Sequence, residues 1–86
     1  MPIKRFEEIE AWQLARKLTK EIYAESRQPP MRRDWRYCSQ LQSAAVSMMS
    51  NIAEGFLAQT DNEFVRFLTF SIRSSAEVQS LLLCRA

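Results

Sequence analysis

Apolar residues recur along this chain at spacings of three and four, and almost nothing interrupts them. Pro29 and Pro30 are the only internal prolines, and Gly55 is the only glycine. Long helices are the natural consequence, because proline and glycine are the residues that end them. The first helix is predicted over residues 6–26. Ile9, Trp12, Ala15, Leu18 and Ile22 form one stripe, with Tyr23 beside it. Glu7, Glu8 and Glu10 near its start suit the positive end of the helix dipole. Pro29 disfavours helical geometry at Gln28 and so stops the helix.

The second helix is predicted over residues 34–56, with Asp34 as N-cap. Cys38, Leu41, Ala45, Met48, Ile52 and Gly55 follow one another at heptad spacing. A second row, Gln42, Val46, Met49, Ala53 and Phe56, lies alongside. Two rows require two neighbours, so this helix should be central. Ala44, Ala45, Ser47 and Ser50 are small enough to allow close helix approach. Gly55 and Phe56 are expected to form the C-terminal stop, with the glycine in a left-handed conformation.

The third helix is predicted over residues 61–85, behind a capping box at Thr60 and Glu63. Phe64, Val65, Phe67, Leu68, Phe70 and Ile72 crowd its first half, too many for a single stripe. It should bury more than one face, within the bundle and against another chain. Apolar residues continue through Ala76, Val78 and Leu81–Leu83 to an uncapped end at Ala86. The expectation is either that a fourth helix is missing or that another subunit covers this surface. Together these patterns predict a single all-α domain, an antiparallel up-and-down helical bundle with three helices present.

Composition narrows the function. The 86 residues hold no histidine, two cysteines and one glycine. That argues against histidine-dependent catalysis, His-rich zinc sites and the glycine-rich loops that cradle nucleotides. Glu54 and Glu77 could be imagined as an acid pair, but hydrolysis by paired carboxylates also needs a cleft that the packing pattern does not provide. Neither an enzymatic activity nor a cofactor or metal is expected. A chain this short buries a modest core, so oligomerisation is expected too. The opening MPIKRFEEIE is charged and lacks the apolar core of a signal peptide. No apolar run approaches the ~20 residues of a membrane span. With Cys38 and Cys84 read as reduced thiols, the expected setting is the cytoplasm, without membrane contact.

The net charge of +2 is small but unevenly spread. Residues 1–33 carry eight basic and five acidic groups. Arg27, Arg32, Arg33 and Arg36 surround Trp35 and Tyr37 between the first two helices. Arginine grips phosphate bidentately and aromatic rings stack on unpaired bases, so this segment is a candidate RNA or other nucleic-acid contact. The simpler alternative is a solvated loop, with Trp35 and Tyr37 tucked into the bundle end. Arg16, Lys17 and Lys20 make a weaker basic stripe, which Glu21 and Glu25 can neutralise along the helix.

The second helix reads Gln40-Leu41-Gln42-Ser43-Ala44-Ala45-Val46-Ser47-Met48-Met49-Ser50-Asn51-Ile52-Ala53-Glu54-Gly55-Phe56. With its Asn-Ile-Ala-Glu-Gly-Phe string, it resembles a family of small bacterial four-helix-bundle proteins associated with 23S rRNA intervening sequences. Ala11-Trp12, Ile22-Tyr23, Asp34-Trp35, Glu63-Phe64, Phe67-Leu68, Ser74 and Glu77 extend the resemblance over essentially the whole chain. The chain departs from the pattern at Gln42 and Ala58, where relatives often carry arginine, and at Arg73, where glycine is frequent. The resemblance implies homo-oligomeric rings, often pentamers, and a likeness to retroelement accessory proteins associated with RNA. It implies no enzymatic activity. Gln40, Ser47, Asn51, Glu54 and Ser74 are polar positions near apolar seams. They admit a ligand site or a buried hydrogen-bond network that fixes the register of the second and third helices. The rivals to RNA binding are a protein-interaction module in which the apolar third helix docks a partner protein, and an inactive, truncated member of the family.

Overall fold

The computed structural model describes residues 3–85; Met1, Pro2 and the uncapped end at Ala86 lie outside them. Three α-helices follow one another: α1 (Glu10–Ser26), α2 (Trp35–Phe56) and α3 (Asp61–Arg85). No strand occurs among the described residues. The body measures 44 × 20 × 17 Å, a slender all-α bundle.

The first helix starts later than its apolar stripe predicts. Phe6–Glu8 form a separate 3-10 turn, and Ile9 is extended at φ −73° and ψ 121°. Local hydrogen bonding draws this boundary. The Glu8 carboxylate accepts from the backbone N–H of Arg5 at 3.1 Å, and Gln13 Nε2 donates to the Glu7 carbonyl at 2.8 Å. Phe6 meets Trp12 edge-on at 5.2 Å between ring centroids, so the turn still packs on α1.

At α2 the Asp34 side chain accepts from the backbone N–H of Tyr37 at 3.3 Å, and at α3 Thr60 Oγ1 accepts from that of Glu63 at 3.2 Å. Both bonds satisfy N–H groups that the first turn of a helix leaves without partners.

The helix α2 is central. Both α1 and α3 pack on it in antiparallel register, and α1 and α3 do not pack on each other. Thr19 Oγ1 lies 2.7 Å from the Ala15 carbonyl and 3.3 Å from that of Ala45 across the α1–α2 seam. On the other seam, Ser71 Oγ donates to the Met48 carbonyl at 2.8 Å and Tyr37 Oη to the Leu81 carbonyl at 2.6 Å. The core divides along the length of the bundle instead of between the seams. Ile22, Tyr37, Leu41, Ala44, Ala45 and Val78 cluster toward one end, and Ala15, Met48 and Ile52 toward the other. Burial pushes the Tyr37 phenol upward from its ordinary pKa, while the Arg85 guanidinium, 5.1 Å above its ring, opposes the shift.

Gly55 corrects the sequence expectation. It does not stop α2 and it has no positive φ; Leu57 is the C-cap, at φ −89° and ψ 0°. The glycine is instead needed for close approach. A Cβ built on it would meet Phe67 Cβ at 3.3 Å and Phe64 Cδ1 at 3.6 Å. Gly55→Val should therefore destabilise the fold by about 1–3 kcal/mol through overpacking. Gly55→Ala should stay within about 1 kcal/mol of the parent, since alanine's helix preference offsets the crowding. Urea denaturation of the two variants checks both values, and equal stability for valine and alanine would count against the close contact.

Within the single chain α3 buries Ser71 and Val78 and half-buries Phe67, Leu68 and Phe70, while Phe64, Val65, Ile72, Leu82 and Leu83 remain exposed. The cysteines are free: Cys38 is buried with its thiol 3.2 Å from the Met31 carbonyl, and Cys84 is exposed. Among the described residues no helix is long and apolar enough to cross a membrane.

Candidate nucleic-acid interface

The antiparallel path brings the end of α1, the start of α2 and the end of α3 to one pole of the bundle. Arg27 sits just beyond α1. Arg32 and Arg33 belong to a short 3-10 turn (Met31–Arg33), and Arg36 lies in the first turn of α2. All four are exposed. None forms an ion pair among the described residues. The fold adds Arg85, which is distant along the chain and escapes any reading of local sequence. Its guanidinium is 3.5 Å from the Asp34 carboxylate. A signal for it does exist, in the antiparallel topology that returns the third helix to the Asp34 end.

The opposite pole is acidic. Glu7, Glu8 and Glu10 precede or open α1, Glu54 lies in the last turn of α2, and Asp61 and Glu63 open α3. The two signs are biased toward opposite poles, with Lys4 and Arg5 sharing the acidic one and Glu21 and Glu25 the basic one, and such a bias turns the arginine end toward a polyanion.

Trp35 and Tyr37 have different fates. Tyr37 faces inward and is held by Leu81, as the loop alternative expects for both rings. Trp35 is 69% exposed, with the Arg36 guanidinium 5.8 Å from its ring centroid. Trp35, Arg36, Ser39 and Gln40 line an open depression of about 480 Å³. An apolar plane, a cation and an amide thus share one exposed hollow. Lys17 and Lys20 are exposed on α1, away from this pole. Lys20 lies two helical turns before Arg27, about 10 Å along the axis.

The structure divides the polar positions of the Gln40–Phe56 segment and its partners. Asn51 Nδ2 donates to the Ser47 carbonyl at 2.8 Å and lies 3.1 Å from Ser47 Oγ. Ser74 Oγ donates to Ser47 Oγ at 3.0 Å. These three half-buried side chains tie α2 to α3. Gln40, Glu54 and Glu77 are exposed and outside that network, which corrects the buried reading of Gln40 and Glu54. Ile52 and Gly55 are buried and Ala53 and Phe56 half-buried, so packing accounts for most of the Asn51–Phe56 string. Asn51→Ala should cost about 1 kcal/mol, while Glu54→Ala should stay within about 0.5 kcal/mol of the parent. Chemical denaturation distinguishes them, and equal losses would remove the network's role in stability.

Glu54 and Glu77 take no part in a metal-like cluster: no three Asp, Glu, Cys or His side chains converge on one point among the described residues. The Arg5 guanidinium, 2.8 Å from the Glu7 carboxylate, holds it below the usual carboxylate range.

Comparison with known proteins bears on the whole chain. No curated protein and no solved structure matches it. The family model described as 23S rRNA-intervening sequence protein matches residues 7–85. A match of that extent covers all three helices and the basic pole, and the chain belongs to the family of 23S rRNA-intervening sequence proteins.

Proposed function

We propose that this is a non-enzymatic RNA-binding protein whose contact surface is the basic pole. The observation that carries this reading is the pairing of exposed Trp35 with four arginines that have no ion-pair partner among the described residues: Arg27, Arg32, Arg33 and Arg36. The arginines engage phosphates, and the Trp35 ring offers a plane on which an unpaired base stacks. Gln40, on the wall of the same hollow, can hydrogen-bond the edge of that base. Arg85 reinforces the field, and Lys17 and Lys20 extend it along α1. Single-stranded RNA is the preferred form, because a base must be unstacked to reach Trp35. Self-association into a ring, which the family resemblance implies, would place several basic poles on one RNA and raise its avidity.

The test is fluorescence anisotropy of labelled single-stranded RNA, structured RNA and duplex DNA with the parent and an Arg32→Glu/Arg33→Glu variant. Tightest binding to single-stranded RNA, lost in the variant, is the expected result. Equal binding by both proteins would remove the assignment.

A further inference from the structure

The hollow beside Trp35 offers hydrogen-bond donors in excess. Trp35, Arg36, Ser39 and Gln40 line it, and all four are exposed. Trp35 and Ser39 stand one helical turn apart on α2, as do Arg36 and Gln40, so two adjacent rows form its walls. The Arg36 guanidinium, 5.8 Å from the Trp35 ring centroid, brings five N–H donors and no acceptor. Ser39 and Gln40 each bring both donor and acceptor, and each can turn to present either. No carboxylate lines the hollow. Asp34, beside Trp35 in the chain, is engaged elsewhere: one oxygen accepts from the Tyr37 N–H at 3.3 Å and the other lies 3.5 Å from the Arg85 guanidinium. A base seated on the Trp35 ring therefore meets one cationic donor and two adaptable groups.

We propose that this hollow selects bases by their carbonyl oxygens, taking guanine first and uracil second, over adenine and cytosine. The inference rests on the reading of the basic pole as a single-stranded RNA contact and adds the identity of the base. The bases fall into two kinds on the edge that pairs in a duplex. Guanine presents the O6 carbonyl beside N1–H, and uracil presents O4 beside N3–H. Adenine and cytosine present an amino group beside a bare ring nitrogen. Arg36 can donate to O6 or O4, whereas an amino group facing it finds no acceptor and points its positive N–H ends at a cation. Gln40 adapts to all four, because its amide complements either edge once turned. The choice thus falls to Arg36. Its planar fork can hold a phosphate with one edge and donate to the base with a remaining N–H, so base selection does not remove a phosphate contact. Guanine exceeds uracil for two reasons. Its N7 adds a second acceptor beside O6, and its fused rings cover more of the indole.

The probes are labelled cytidine strands of about eight nucleotides, each with one central guanosine, inosine, uridine, adenosine or cytidine. Anisotropy is read with the full protein at low salt. The guanosine strand should bind about tenfold more tightly than the adenosine and cytidine strands, with uridine between. Inosine isolates the cause. Its base has adenine's two rings and lacks guanine's 2-amino group, but it carries O6 and N1–H, so its strand should follow guanosine. Arg36→Gln should weaken every strand and bring guanosine and adenosine within about twofold of each other. Arg36 is exposed, so circular dichroism should show this variant folded. Arg32→Glu/Arg33→Glu should weaken all the strands alike, because it acts on phosphates. An adenosine strand as tight as the guanosine strand, or an inosine strand that follows adenosine, overturns the base selection and leaves the RNA contact standing. Binding of no strand overturns both. A guanosine preference that survives Arg36→Gln overturns the assignment to Arg36.

Discussion

Leu41→Ala is expected to lower the melting temperature by about 12–24 °C, far more than truncating any exposed apolar side chain of this bundle should. Leu41 is 1% exposed and lies where all three helices contribute to one cluster. Ile22 comes from α1, Tyr37, Ala44 and Ala45 from α2, and Val78 from α3. Removing its side chain deletes buried hydrocarbon and leaves a cavity that neither seam can close alone, for a loss of about 3 kcal/mol. A domain of this size has a total stability of only about 4–13 kcal/mol. The helices hang on α2 without direct support between α1 and α3, so the loss is not shared with a third seam. Leu57→Ala is the control. Leu57 is 65% exposed, and its truncation should move stability by no more than about 0.5 kcal/mol. Calorimetric melting of both variants settles the comparison. A small shift for Leu41→Ala would mean that the bundle draws its stability elsewhere.

Reversing Arg32 and Arg33 is the second large effect, and it acts on binding. If the four free arginines each neutralise one phosphate of a single strand, the logarithm of affinity should fall with the logarithm of salt at a slope near −3. Arg32→Glu/Arg33→Glu removes two of those contacts and places two carboxylates against the backbone. The remaining slope should be about −1.4 or shallower, and affinity at low salt should drop about a hundredfold. Both arginines are exposed and lie in a short 3-10 turn, so the melting temperature should hardly change. A binding loss without a stability loss separates the basic pole from a merely solvated loop. Lys17→Glu/Lys20→Glu should have a smaller effect, since these side chains lie farther from Trp35.

The fold class is legible in the sequence because the pattern is redundant. In α2, heptad spacing, two apolar rows and small residues all point to a central helix with two neighbours. The caps at Asp34 and Thr60 are legible because each rests on a side chain three residues from the N–H it satisfies. Gly55 misleads for a physical reason. A glycine near a helix end serves equally as a left-handed cap or as a flat spot for another helix, and only the position of Phe67 decides between them. The start of α1 is misplaced by its stripe because apolar period says nothing about backbone hydrogen bonds at Glu7 and Glu8. On α3, apolar residues on several sides suggest several buried faces. Periodicity records what a surface could bury and not what covers it, so the space left between α1 and α3 is invisible in the sequence.

The candidate site divides in the same way. Local sequence locates the arginine cluster, because Arg27, Arg32, Arg33 and Arg36 are close along the chain. It cannot separate Trp35 from Tyr37, two residues apart on one helix, whose side chains point in different directions. Nor can it add Arg85, which topology alone delivers to the Asp34 carboxylate. Ser47, Asn51 and Ser74 join across the α2–α3 seam because their registers match. Gln40 and Glu54 lie near the same motif but turn to solvent.

The measurement that tests the central claim most directly is a salt series of fluorescence anisotropy with labelled single-stranded RNA and the parent protein. The basic pole predicts micromolar or tighter binding at low salt and a slope near −3, equivalent to about a fiftyfold loss of affinity between roughly 50 and 200 mM salt. No binding at low salt, or binding that salt does not weaken, would contradict an RNA contact made through these arginines.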